Sequence, residues 1–182
     1  VLIFDEVQTG VGATGSFWAF QTLGVEPDIL AFGKKTQVCG ILAGRKIEEV
    51  NGHVFETSSR INSTWGGNLV DMVRFDRILE IIEADDLVAH TAETGAYLKE
   101  QLLGLAERFP FTNVRGKGTF CAFTVADAQT RNAIADACFD RGVAILGCGM
   151  SSIRFRPPLT ITKSEIDEGM SVLADAAKEV IG

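Results

Sequence analysis

The chain has 182 residues, 46% of them hydrophobic, and a formal net charge of −7 at pH 7, enough to fill one substantial core or a larger and a smaller lobe. The acidic balance argues against a nucleic-acid surface, and no apolar run approaches the length that crosses a bilayer. Cys39, Cys121, Cys138 and Cys148 stand far apart with no CxxC pair and only His53 and His90 to accompany them, so no metal site is expected and reduced thiols in a cytoplasmic protein fit better.

Val1-Leu2-Ile3-Phe4 is a short run of β-formers without alternation, the pattern of a central strand in a parallel sheet. A domain seldom begins on its innermost strand, and neither Met nor a targeting segment stands before it. The expectation is therefore the C-terminal part of a longer chain. "DILAF" (28–32) reads as a second buried strand ending at Gly33-Lys34, and Ile41-Leu42-Ala43-Gly44 as a third. Leu69, Met72, Val73, Leu79 and Ile82 recur at helical spacing between Asn68 and Glu83, and a second long helix is expected from Leu87 to Arg108. "FPFTNVRGKG" breaks that pattern with Pro110, Gly116 and Gly118. Beyond it, 119–125 reads as strand, 130–141 as helix, and 143–146 and 153–155 as further strands. Thr162-x-x-Glu165 is a capping-box signature ahead of a last helix with Ile166, Met170, Leu173 and Ala177 on one face. This predicts two domains: 1–85 from a parallel-sheet α/β domain, and 86–182 a linking helix with a small α+β domain.

"FDEVQTGVGATG" (4–15) contains Gly10-x-Gly12-x-x-Gly15, the spacing of a dinucleotide-binding turn. Its surroundings are wrong for one. Five residues separate the strand from Gly10, two of them the acids Asp5 and Glu6, and no long helix follows to meet a pyrophosphate. Asp5 leads elsewhere. Alone it would be an ordinary turn residue, but it ends one predicted strand while Lys34 ends the next, 29 positions later. A buried Lys and a buried Asp at neighbouring strand ends are the two groups that pyridoxal 5′-phosphate (PLP) requires. Lysine supplies an amine for a Schiff base, and Asp keeps the pyridine nitrogen protonated so that the ring can accept electrons.

The stretch "FDEVQTGVGATGSFWAFQTLGVEPDILAFGKK" resembles the signature of class III (ω-amino acid) aminotransferases, with Asp, Gln, the glycine turn, Pro-Asp and Lys in matching order and spacing. "STWGGN" (63–68) and "RFRPPL" (154–159) are similar to two further segments of that class. The resemblance implies the C-terminal part of a PLP fold type I aminotransferase, and cytoplasmic amino transfer from an ω-amine to 2-oxoglutarate. "FGKKTQVCGILAGR", "RINSTWGGN" and "RFRPPLT" are most similar to members acting on the ε-amine of L-lysine, with Val38-Cys39 where many relatives carry a glycine pair. Ornithine, acetylornithine and 4-aminobutyrate remain alternative amino donors, and a segment inactive by itself is a further reading.

The resemblance assigns roles position by position. Lys34 aligns with the Schiff-base lysine, Asp5 with the partner of the pyridine nitrogen, and Gln8 with the residue near the cofactor's phenolic oxygen and the substrate. Thr64 aligns with a threonine reaching the PLP phosphate of the neighbouring subunit, which implies a homodimer with shared sites. Arg154 aligns with the arginine that holds a carboxylate of 2-oxoglutarate, a task suited to a guanidinium fork. From the residues alone, Lys35 competes with Lys34, Thr64 could cap a helix, and Arg154 and Arg156 share a strand face that could be solvated. Trp65 reads as packing, and neither histidine is assigned a catalytic role.

Overall fold

The first strand, β1 (Ile3–Asp5), runs parallel to β2 (Ile29–Phe32), with Ile3 opposite Ile29 and Asp5 opposite Ala31. β3 (Gly40–Ala43) returns antiparallel on the far side of β2, giving the order β1-β2-β3. This computed structural model describes residues 1–61 and 66–182. Among them β1 stands at the edge of the sheet with Ile3 61% exposed, although its unbroken apolar run is the pattern of a strand with neighbours on both sides. An unbroken apolar run signals two covered faces, and in this chain those faces of β1 are open. Asp28 anchors the sheet's entrance. Its Oδ2 accepts from the Leu2 amide at 2.7 Å and lies 3.2 Å from Lys46 Nζ, and these two contacts hold its carboxyl below the ordinary value.

The chain divides into two compact units, residues 1–12 with 16–88 and residues 13–15 with 89–182. In the first unit, helix α1 (Leu69–Ala84) starts at Asn68, whose side chain accepts from the Val70 amide at 2.9 Å. It buries Ile82 but leaves Leu69 and Val73 exposed.

The second unit holds most of α2 (Leu87–Ala106), then β4 (Thr112–Lys117), β5 (Phe120–Thr124), α3 (Ala128–Asp140), β6 (Leu146–Cys148), β7 (Ser152–Phe155) and α4 (Lys163–Ile181). Its four strands form an antiparallel sheet in the order β4-β5-β7-β6. Alternation along β5 and β7 sends Cys121, Phe123, Ile153 and Phe155 into one core with Leu102, Ile134 and Leu173 from the helices. Phe111, Phe123 and Phe155 stack in series, with centroids 4.2 and 6.0 Å apart. The capping box forms as the sequence requires. Thr162 Oγ1 accepts from the Glu165 amide, Glu165 Oε2 accepts from the Thr162 amide at 2.8 Å, and Ile166, Met170, Leu173 and Ala177 are buried.

Two strands depart from expectation. β4 falls in the stretch that reads as broken, because a register shift between Thr112 and Arg115 interrupts its alternation. The sixth strand starts at Leu146 rather than at Val143. Gly142 (φ 84°) ends α3 and the Val143 amide turns back to the Cys138 carbonyl at 2.9 Å, so Val143 belongs to the helix exit.

The glycines of the GxGxxG spacing open no helix; only a short 3-10 turn, Ala19–Thr22, follows. They permit close packing instead. A Cβ on Gly10 would meet the Trp18 ring at 2.5 Å and the Glu6 carbonyl oxygen at 2.8 Å. In the second unit, Gly118 (φ +53°) leaves room for the backbone of Ala13, whose carbonyl oxygen a Cβ would meet at 2.5 Å. A Cβ on Gly95 would fall on the Gly118 carbonyl group itself.

Candidate active site

Asp5 and Lys34 stand at the C-terminal ends of two adjacent parallel strands, the edge at which open α/β sheets bind ligands. Asp5 is exposed, and its Oδ1 accepts from the Val7 amide at 3.1 Å in a local Asx turn. Among the described residues its Oδ2 takes no hydrogen bond.

Lys34 is also exposed, and opens the 3-10 turn Lys34–Thr36 rather than extending β2. Burial of this pair, expected from strand ends in a covered sheet, is therefore absent from this chain, whose β1 edge is open. Two residues of the turn, Lys34 (φ 58°) and Gln37 (φ 60°), adopt the left-handed backbone region without being glycine. Such strain costs on the order of 1 kcal/mol per residue and persists where surrounding contacts enforce it. Here the Lys34 carbonyl accepts from the Gln37 amide at 3.0 Å and from its side chain at 3.3 Å, and buried Thr36 donates to the Val38 carbonyl at 2.5 Å.

Lys35 parts from Lys34 because the two lie in a turn, not through strand alternation. Its Nζ donates to the Gln8 carbonyl at 3.0 Å, tying the turn after β2 to the turn after β1. Gln8 is half-buried in that first turn. The structure thus brings Asp5, Gln8, Lys34 and Lys35 to one sheet edge. Thr64, with Trp65, lies outside the described residues.

Arg154 belongs to the second unit. On β7 it sits between Ala122 of β5 and Leu146 of β6. Its Nε is buried and has no hydrogen-bond partner among the described residues, while Arg156 lies past the strand end and is exposed. A buried guanidinium nitrogen without a partner is an opening for an anionic ligand. The structure therefore separates two arginines that the strand pattern left equivalent. On the same sheet face, Arg115 Nη2 donates to Ser152 Oγ at 3.2 Å and Nη1 to Thr124 Oγ1 at 3.2 Å. His90 Nε2 donates to the Ile161 carbonyl at 2.8 Å and His53 faces Glu56, so both have structural partners.

Sequence reasoning missed Glu6, reading it only as an acid out of place in a dinucleotide-binding turn. It is buried, and its carboxylate accepts two hydrogen bonds. An acid followed three residues later by Thr was the available signal.

The profile of the family described as "Aminotransferase class-III" matches residues 1–177, and the chain belongs to this family. L-lysine-epsilon aminotransferase of Amycolatopsis lactamdurans is 51% identical over 177 residues, which cover 96% of this chain and 39% of that protein. The solved lysine aminotransferase of Mycobacterium tuberculosis superposes with a TM-score of 0.95 at 49% identity, covering 99% of this chain and 42% of that one. The mitochondrial 4-aminobutyrate aminotransferase of Sus scrofa is more distant, 33% identical over 177 residues, covering 95% of this chain and 34% of its own length. The chain spans about two-fifths of the length of the lysine relatives it matches.

Proposed function

We propose that the protein containing this chain transfers the ε-amino group of L-lysine to 2-oxoglutarate through PLP, giving 2-aminoadipate 6-semialdehyde and L-glutamate. The observation that carries this reading is the placement of Asp5 and Lys34 at adjacent parallel strand ends, with an open carboxylate oxygen and an exposed amine. The gap between the lysine relatives, near 50% identity, and the 4-aminobutyrate enzyme at 33% supports lysine as the amino donor.

The donor set fits the cofactor. When bound, PLP supplies an electron sink for charge developing on the substrate carbon. Asp5 holds a proton on the ring nitrogen by opposing it with a carboxylate. Lys34 retains the cofactor through Nζ, and its freed amine removes the proton from the ε-carbon of lysine and later returns one, as general base and acid. Gln8 orients substrate from the turn after β1, and Lys35 keeps that turn in register through the Gln8 carbonyl. Arg154 grips a carboxylate of 2-oxoglutarate in a bidentate fork, which satisfies its buried Nε. Thr64 contributes to phosphate binding in the neighbouring subunit of a homodimer. In this reading residues 1–85 complete a PLP-binding large domain and residues 86–182 form a linking helix and small domain. The enzyme acts in the cytoplasm on small-molecule substrates.

Borohydride reduction of the PLP-loaded full-length protein, followed by peptide mapping, tests the assignment. The pyridoxyl label is expected on Lys34; a label on Lys35 overturns the site. Assay of lysine, ornithine, acetylornithine and 4-aminobutyrate with 2-oxoglutarate then tests the donor, with lysine expected to give the highest kcat/KM.

A further inference from the structure

Glu6 is only 2% exposed, although the residue before it is open to solvent. Every polar group it owns is engaged. Its amide donates to the Ala31 carbonyl at 2.9 Å and its carbonyl accepts from the Gly10 amide at 2.9 Å. Its Oε2 accepts from Thr9 Oγ1 at 2.5 Å, and its Oε1 from the Phe20 amide at 2.8 Å. No cation pairs with it among the described residues. Retaining a buried carboxylate on neutral donors is expensive, and a strand end needs no charge to terminate it. What the charge achieves is geometric. One oxygen draws in the far end of the turn, at Thr9, while the other fastens it to a backbone amide 14 residues on. The Trp18 ring, pressed against Gly10, closes the same platform.

Asp5 and Gln8 ride on this turn. We propose that Glu6 is a positioning residue: its buried carboxylate, gripping Thr9 and the Phe20 amide, sets the shape of the 5–9 turn and so the places from which Asp5 and Gln8 meet the cofactor. The inference rests on the proposed PLP site. Glu6 touches neither cofactor nor substrate and acts through its neighbours. Strand pairing fixes the backbone on its β2 side as far as the Glu6 amide, whereas among the described residues no strand pairing holds residues 7–9. Glu6 and the Lys35 contact to Gln8 do so from the two sides of the turn.

The test uses the full-length holoenzyme and two variants. Glu6→Gln keeps the volume and an acceptor for Phe20, but replaces the charged acceptor facing Thr9 with a neutral amide donor. Thr9→Val removes the same hydrogen bond from the other side and leaves Glu6 in place, which keeps the test open if Glu6→Gln does not fold. Loss of a hydrogen bond to a charged group at a locating position is expected to raise the PLP dissociation constant about tenfold in each variant. The pH dependence of the bound cofactor's visible absorption should shift with it, because Asp5 no longer opposes the ring nitrogen from a fixed place. The melting temperature of the cofactor-free variants should fall by only a few degrees, and the loss of PLP affinity should persist at temperatures where parent and variants are both fully folded. Parental PLP affinity and spectrum in both variants overturn the proposal, as does a loss of affinity that follows loss of melting temperature. If the parent protein itself takes up no PLP, the proposed site fails and this inference with it. If the parent binds and the variants match it, only the role of Glu6 falls.

Discussion

The second unit gathers its apolar side chains inward, with Leu102, Phe123, Ile134 and Ile153 fully buried, whereas the first leaves Ile3, Leu42, Leu69 and Val73 exposed. The first unit in turn concentrates the polar contacts that aim side chains: Asp5 to Val7, Glu6 to Thr9 and Phe20, and Lys35 to Gln8. Stability in the one rests on packing that tolerates little change of volume. In the proposed reading, function in the other rests on groups held at an open edge, where removing a head group should alter chemistry and leave packing alone. The contrast can be put to experiment.

The largest effect is expected from Phe123→Ala, at the centre of the phenylalanine stack, with a loss of about 3–5 kcal/mol in urea unfolding. A loss below about 1 kcal/mol would mean that the second unit does not depend on that core. Asp5→Asn should do the reverse. Asn keeps an oxygen for the Val7 amide but loses the charge, so amino transfer in the full-length protein should fall about a thousandfold, roughly 4 kcal/mol in barrier. Unfolding should move by less than about 0.5 kcal/mol, since Asp5 is exposed. Comparable losses in activity and stability would erase the distinction between the units.

Thr162→Ala, at the start of α4, is smaller, about 1 kcal/mol for a lost N-cap. Hydrogen bonds from the Thr162 amide and hydroxyl hold the Glu165 carboxyl below its ordinary value of 4.5. A depressed folded-state value means stabilisation that is complete above 4.5 and disappears as pH falls through the lower, folded value. The part of the difference that comes from the Thr162 hydroxyl on the Glu165 carboxylate should be lost in acid, while the N-cap bond from the Glu165 amide persists. A difference that widens as pH falls would exclude a stabilising role for the carboxylate.

Thiol reactivity makes the finest distinction. Burial pushes Cys121 and Cys138 up to about 11, so little reactive thiolate exists near pH 8, while Cys39 is exposed in the first unit. A thiol reagent should modify Cys39 in the native chain, and Cys121 and Cys138 only on unfolding. Early labelling of Cys138 would show that the second core opens readily.

Much of this was legible from residues. Helices α1, α2 and α4 follow from periodicity, and α4 also from Thr162 and Glu165, because caps and amphipathic spacing are local signals. The Asp5–Lys34 pairing was legible because both end short apolar runs, and parallel pairing puts such ends side by side. Burial of that pair was not, since an apolar strand states a preference for cover and cannot supply it. β4 was hidden by its shifted register, and Glu6 by its hydrogen-bond partner 14 residues away. Strand alternation left Arg154 and Arg156 on one face, and only the end of β7 at Phe155, ahead of the two prolines, puts Arg154 inside the strand and Arg156 past it.

The stacking of bare backbone at Ala13, Gly118 and Gly95 limits how this sequence can drift over generations. Any missense change at a glycine codon adds at least a Cβ, and at Gly118 or Gly95 that atom falls on a main-chain group that cannot rotate away. Ordinary drift in a core proceeds by exchange, one residue growing as its neighbour shrinks. At Gly95 that exchange has no second move, because the neighbour that would have to shrink, Gly118, is already glycine. Variation in this region must therefore pass around the pair, through side chains on the turn and helix that flank it.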